Sequence, residues 1–339
     1  MLVFLVAFLG IGLCLLCGVF QTRYQRLQRA ARGLMITYVT IGVMFAAGES
    51  YFRFVFAESD GLPTLASQNW LARYWQKNTL GYRDPDWQSS ELVERKTILI
   101  IGDSFAAGWG LESVDDRFGN VLGSKLGDRY AVINMGKPGA STTEEIDSLQ
   151  ESFVPNPDVV ILQYYLNDIE NAALSIGLDP GLDPSRGMPP WASESYLGNF
   201  IYWRLVARFR PEQQGTQPYW NWLYSMYDNA TVWDIHRQQL ESFVDVVENK
   251  GALLIVVIFP NMLDPVSSIP YVDRVAQALA ARGYDDAHVL KLFDVAEAMP
   301  LQERVVSGRD AHASASFNRA VGEMLNLKLN ELMNLRSAN

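Results

Sequence analysis

A chain of 339 residues, 49% hydrophobic and 19% charged, is long enough for one large domain or two small ones and suits a globular protein carrying a membrane segment. Its formal net charge is −10, and residues 1–48 hold four arginines and no acid, so the remainder carries −14. A surface of that sign argues against a nucleic-acid partner, which needs a basic face.

Residues 1–20 carry no charged group, and their number is about what a helix needs to cross a bilayer. A cleaved signal peptide would show a positively charged start and a small-residue cleavage site, and neither is present. Both cysteines, Cys14 and Cys17, sit in this run, so no disulfide holds the rest of the chain. Without a second pair or a ligating histidine, their spacing reads as apolar packing. Residues 21–33 carry Arg23, Arg26, Arg29 and Arg32. A second apolar stretch starts at Leu34 and continues to Ala57; Glu49 and Arg53 are spaced to pair on one helix face, and Tyr51, Phe52, Phe54 and Phe56 suit an interfacial belt. The expectation is a membrane anchor over 1–57, with two transmembrane helices in the lipid bilayer and a basic cytoplasmic loop at 21–33. Everything after residue 57 then lies on the non-cytoplasmic side. Residues 58–95 form a polar approach segment.

From 96 to 339 strands and helices alternate. The strands expected are Thr97–Ile101, Tyr130–Met135, Val159–Tyr164, Leu253–Phe259 and Val289–Phe293; the helices are about Arg117–Leu126, Thr142–Phe153, Asp234–Asn249, Val272–Arg282 and Ser314–Leu335. Short apolar strands alternating with helices predict a three-layer α/β/α domain with a five-stranded parallel sheet, close to flavodoxin-like in topology. One stretch, about 170–230, contains no strand. It begins loop-like with Gly177, Pro180, Gly181, Pro184, Gly187, Pro189 and Pro190, continues as a helix over Glu194–Phe209, and ends in Tyr219, Trp220, Trp222, Tyr224 and Tyr227. Such an insertion is either a lid or binding segment, or packs these aromatics into a small core of its own. Asn229-Ala-Thr231 matches a glycosylation sequon, which matters only in a eukaryotic secretory setting.

The chemistry gathers around Ile98–Gly110, ILIIGDSFAAGWG. An apolar strand runs into Gly102-Asp103-Ser104, which sets Ser104 just past the strand's C-terminal end, the edge at which open parallel sheets bind ligands. Acyl transfer through a serine also needs a base, a group to orient the base, and donors for the oxyanion. Each has a candidate at that edge: Gly139 in Asn134-Met-Gly-Lys-Pro-Gly139 after the second strand, Asn167 in Tyr164-Tyr-Leu-Asn167-Asp168 after the third, and a histidine. The histidines are His236, His288 and His312, each with an aspartate two residues earlier. His288 precedes the last strand, at the wrong edge of the sheet. His236 opens a helix and could lie near the active edge. His312 follows the last strand, in Ser307-Gly-Arg-Asp310-Ala-His312.

These stretches, in this order, resemble the blocks of the SGNH (GDSL-like) hydrolases. The resemblance spans residues 96–335 and implies the flavodoxin-like fold of that family. It implies Ser104 as nucleophile, His312 as base, and Asp310 as the group that orients His312. The Ser104 and Gly139 N–H groups and the Asn167 side chain would form the oxyanion hole. Two departures stand out: Tyr165 occupies the place of the third block's glycine, and Asp310 and His312 are separated by one residue, the shorter form of the final block. Asn78–Asp84 resembles a segment that often precedes the first block in membrane-anchored members, where a docking turn is its expected use. The function implied is a membrane-anchored serine esterase without metal or organic cofactor, acting on an ester substrate such as an acylated glycan (O-acetyl groups on surface carbohydrate) or a lipid. An O-acyltransferase acting on polysaccharide, or a non-catalytic envelope scaffold, are the alternatives.

Overall fold

The computed structural model describes residues 2–21, 23–61, 64–181, 188–209 and 216–338. Pro184 and Gly187 of the expected loop fall outside these residues. The chain divides into two units. One comprises Met1–Glu58, Leu62–Trp70 and Asp183–Gln214; the other comprises Ser59–Gly61, Leu71–Leu182 and Gly215–Asn339.

In the first unit, apolar helices over Leu2–Val19 and Gln25–Phe54 pack together. The Tyr38 ring stacks on Phe8 at 4.4 Å, and the Tyr38 hydroxyl donates to the Phe8 carbonyl at 2.7 Å. Among the described residues only Gln25–Phe54 is long and apolar enough to cross a membrane. The helix over Leu2–Val19 has 18 residues and rises about 27 Å, against the roughly 30 Å of a hydrocarbon core. The expectation of two spans is corrected to one candidate among the described residues. The basic segment is corrected too: Arg26, Arg29 and Arg32 lie on the helix rather than in a loop. Gln, Arg, Leu and Ala all favour helix, and no proline interrupts them. At its far end this helix meets the expected amphipathic helix, which spans Tyr196–Phe209. The Glu49 carboxylate accepts from the Leu197 N–H at 3.0 Å, the Tyr196 N–H at 3.2 Å and the Ser195 hydroxyl at 2.8 Å, an acid placed at a helix N-terminus.

The second unit contains the sheet. Its strands are β1 (Lys96–Ile101), β2 (Tyr130–Asn134), β3 (Val159–Tyr165), β4 (Leu253–Phe259) and β5 (Val289–Lys291), all parallel, in the order β2-β1-β3-β4-β5. This is the flavodoxin-like order, with its topological switch between β1 and β3. Every residue of β3 and β4 is buried, as apolar strands covered on both faces must be. Val289–Phe293 was expected as strand; β5 ends at Lys291, and a helix over Phe293–Ala298 begins there. A second sheet was not anticipated. It is an antiparallel hairpin of β6 (Val305–Ser307) and β7 (Asp310–Ala313), followed by a helix over Ala315–Ala338.

The aromatics at the end of the insertion join the main core rather than forming one of their own. Trp220, Leu223 and Tyr227, on a helix over Thr216–Asp228, are buried there, and Trp220 packs edge-on against Tyr165 at 5.9 Å. Asn229 of the sequon caps the next helix, Ala230–Asn249, its Oδ1 accepting from Thr231 N–H at 3.0 Å and Val232 N–H at 3.2 Å.

Candidate active site

Ser104 opens a single helical turn, Ser104–Ala107, capped by Asp103, whose side chain accepts from the Phe105 N–H at 2.8 Å. The turn has little room to move. A Cβ on Gly102 would lie 2.5 Å from Gln163 Oε1, and a Cβ on Gly136 would lie 2.4 Å from the Ala107 nitrogen. The backbones of the first and second blocks therefore touch at Gly136, and Gly102 lies against Gln163 of β3, positions that only glycine fills. Asn134 joins the same blocks: its Nδ2 donates to the Ala106 carbonyl at 2.8 Å, and its Oδ1 accepts from the Gly136 N–H at 2.9 Å.

The final block supplies the histidine from β7. Side chains two apart on a strand point to the same face, so Asp310 and His312 project together. That is why one intervening residue suffices. His312 Nε2 lies 2.8 Å from Ser104 Oγ, and its Nδ1 lies 2.5 Å from Asp310 Oδ1. Asp310 is fully buried; burial alone would raise its carboxyl, but the charge and hydrogen bond of His312, with a hydrogen bond from Ser59, hold it below the usual carboxylate range. The His312 side chain is about one-fifth exposed and packs beside Phe105 and Trp109, with ring centroids at 4.9 and 6.0 Å.

Of the three aspartates placed two residues before a histidine, one bonds its histidine. Asp234 instead pairs with Arg237 at 2.5 Å, and His288 meets Asp285 at 3.4 Å. His236, which could have lain at the active edge, is wholly buried and hydrogen-bonds the Tyr164 hydroxyl at 2.7 Å. Burial pushes it down to about 4, so it is a neutral structural group.

The two expected oxyanion donors differ in placement. Asn167 lies on the 3-10 turn that follows β3, across the switch point from Ser104. Its side chain is beside Asp103, and its Oδ1 is buried with no hydrogen-bond partner among the described residues. Gly139 sits in an exposed turn closed by the Ala140 N–H on the Lys137 carbonyl at 3.0 Å. Pro138 followed by a glycine at φ +76° is the signature of a type II turn, which accounts for this glycine. No hydrogen bond among the described residues joins Gly139 to the Ser104 turn; Gly136 makes that approach.

Three buried carboxyls surround this region. Asp103 is pushed up to about 6, chiefly by burial, while the Phe105 N–H, the His312 charge, and the Gln163 and Asn167 side chains favour its charged form. Burial and mutual repulsion raise Glu145 and Asp168 well above the carboxylate range.

Sequence reasoning overlooked several residues of the surrounding frame. Gln163 on β3 binds the Ser104 turn from below. Arg83 of the approach segment donates to the carbonyls of Gly108 at 2.6 Å and Leu111 at 2.7 Å, holding the loop after Ser104. Burial and the neighbouring Arg117 lower its guanidinium to about 10. Asp84 and Arg117 form a buried ion pair at 2.9 Å, and Asp84 also accepts from the Asn134 N–H at 3.2 Å. The segment docks against the loop that follows Ser104, consistent with a docking turn. The adjacent Asn-x-x-Gly-x-Arg-Asp run was the available signal.

No protein-family model matches the sequence, and no curated protein matches it. Solved structures that resemble the chain include TesA, at 17% identity over 70% of this chain and 99% of that one, with a TM-score of 0.42. Another is a putative lipolytic protein of the G-D-S-L family from Desulfitobacterium hafniense DCB-2, at 14% identity over 69% and 99%, with a TM-score of 0.43. A third is a carbohydrate acetylesterase family member from Sinorhizobium meliloti, at 16% identity over 70% and 99%, with a TM-score of 0.40. These neighbours are distant, and the roles assigned to individual residues rest on this chain's own side chains.

Proposed function

We propose that the chain is a membrane-anchored serine esterase of the SGNH type. The observation that carries this reading is the continuous line from Ser104 Oγ through the His312 imidazole to the Asp310 carboxylate, with contacts of 2.8 and 2.5 Å. In the proposed reaction His312 Nε2 takes the Ser104 proton as Oγ adds to the ester carbonyl. The Ser104 N–H, the Asn167 side chain and the Gly139 N–H are assigned to the developing oxyanion. The alcohol leaves with the proton from His312. Water, deprotonated by His312, then attacks the acyl-enzyme and releases the carboxylic acid, and Ser104 regains its proton. Asp310 orients the imidazole throughout.

The finer reading is an O-acetyl ester on carbohydrate. It is supported by two partly exposed indoles beside the histidine, since Trp109 neighbours His312 and Trp75 packs on Trp109 at 5.3 Å. Flat apolar faces of this kind stack on sugar rings. The helix Gln25–Phe54, basic at its start, is assigned as the anchor, with the domain on the non-cytoplasmic side.

The test is to treat the full chain with a fluorophosphonate probe and then with acetylated glycans and aryl esters. Probe attachment at Ser104, absent in Ser104→Ala, and release of free acetate are expected. A chain that takes no probe would be a scaffold. Acetyl appearing on an added glycan instead of as acetate would make it an acyltransferase.

A further inference from the structure

Asp310 has two carboxylate oxygens and one histidine to orient. Oδ1 is taken by His312, through Nδ1 at 2.5 Å and the backbone N–H at 3.1 Å. Oδ2 points away from the imidazole and accepts a hydrogen bond from the Ser59 hydroxyl. Ser59 belongs to neither the nucleophile turn nor the hairpin. It opens the approach segment, 45 residues before Ser104, and it is only 4% exposed. Its neighbour Gly61 is fixed beside the same hairpin, donating its N–H to the Arg309 carbonyl at 3.1 Å. On the other side of Oδ2 stands Gly110, at φ +85°, where a Cβ would come within 3.0 Å of that oxygen. The glycine lets the backbone close over the carboxylate without a side chain, which leaves the Ser59 hydroxyl as its side-chain donor at Oδ2. Ser307 Oγ accepts from the Asp310 N–H at 3.1 Å, and His312 is the charged group acting on Asp310 among the described residues.

We propose that Ser59 is a positioning residue for the esterase reaction, the fourth member of a Ser59–Asp310–His312–Ser104 chain. This rests on the esterase reading above. A carboxylate that has lost its water shell needs its lone pairs bonded, or it rotates or protonates. The Ser59 donor fixes the carboxylate plane so that Oδ1 stays aligned with Nδ1, and it shares the negative charge. Without it, the whole charge of Asp310 falls on the imidazole, which then holds its proton more tightly.

The experiment uses the full chain, an aryl ester substrate and three proteins: wild type, Ser59→Ala and Ser59→Cys, which keeps the volume with a weaker donor. In Ser59→Ala, kcat is expected to fall roughly ten- to a hundred-fold with KM nearly unchanged, the size of a lost hydrogen bond to a charged group. The acid limb of the kcat/KM profile should move to higher pH, and Ser59→Cys should fall between the two. Should Ser59→Ala not fold, Ser59→Cys alone carries the test, through a lower kcat and a displaced limb. A kcat within two-fold of wild type and an unmoved limb, in whichever variant folds, would overturn the proposal. Wild-type chain that neither hydrolyses the ester nor takes a fluorophosphonate would overturn the esterase reading itself, a result separable from the variant's.

Discussion

Gln163 reaches from β3 to the turn that carries the proposed nucleophile. Its Oε1 accepts from the Asp103 N–H at 3.0 Å and from the Ala106 N–H at 2.9 Å, so the two bonds straddle Ser104. A buried polar side chain in the middle of an apolar strand needs such a use, and Oε1 provides it, while Nε2 is buried with no hydrogen-bond partner among the described residues. Gln163→Met keeps the length and removes the acceptor, stranding two buried N–H groups. Stability should drop by about 2 to 4 kcal/mol, and fluorophosphonate labelling of Ser104 should slow. A variant with wild-type melting temperature and labelling rate would show that Gln163 only fills space.

The oxyanion assignment makes a prediction of a different kind. Asn167→Ala should lower kcat by about 10²–10³ with little change in KM, because the donor acts on charge that appears only in the transition state. A loss confined to KM would mean that Asn167 contacts substrate and that the third block has been misassigned.

The histidines can be separated by single substitutions. His312→Ala should abolish ester hydrolysis, and His288→Ala should leave it near wild type, since His288 pairs with Asp285 away from Ser104. Asp310→Asn should lower kcat by up to ~10⁴ through the wrong imidazole tautomer. Activity retained in His312→Ala and lost in His236→Ala would reverse the assignment.

How much of this could be read from the sequence depends on the range of each interaction. β1, β3 and β4 are continuous apolar runs, and the position of Ser104 is set by where β1 stops. The hairpin was missed because three- and four-residue strands leave too little periodicity to detect. Yet that hairpin decides the geometry, since it puts Asp310 and His312 on one face. Gln163, Arg83 and Ser59 were missed for another reason. Each bonds backbone or carboxylate 25 to 251 residues away, and nothing local marks a polar residue for such a partner. Trp220 and Trp222 left two readings open, a lid or a small core of the insertion's own, and Trp220 packs instead into the main core against Tyr165.

Topology is tested independently of chemistry. Arg23, just before the helix Gln25–Phe54, and Arg26, Arg29 and Arg32 in its first turns predict that the domain lies outside the cytoplasm. A reporter fused after Asn339 should be active only if it is one that works outside. A cytoplasm-dependent reporter active there would reverse the orientation and remove surface carbohydrate as a substrate.

The last prediction concerns two buried groups whose proton preferences oppose each other. His236 is held at about 4 against an ordinary 6.5, chiefly by burial. Its unfolded form binds protons more readily, so its contribution to stability is complete above about pH 6.5 and is lost as pH falls toward 4, by about 3 kcal/mol in all. Asp103 runs the other way. Burial raises it to about 6 from 3.8, so the folded state holds the proton more tightly. Its contribution is complete below about pH 3.8 and is lost as pH rises toward 6, by about 3 kcal/mol. Glu145 and Asp168, also raised, share the sign of Asp103. Between pH 4 and 6 the two contributions offset, and each variant should unmask the other. His236→Gln, which can still bond Tyr164, should lose stability relative to wild type as pH rises from 4 to 6. Asp103→Asn should lose stability relative to wild type as pH falls through the same window. Melting temperatures of the three proteins at constant ionic strength decide it, and curves that run parallel across the window would show that neither group changes its proton affinity on folding.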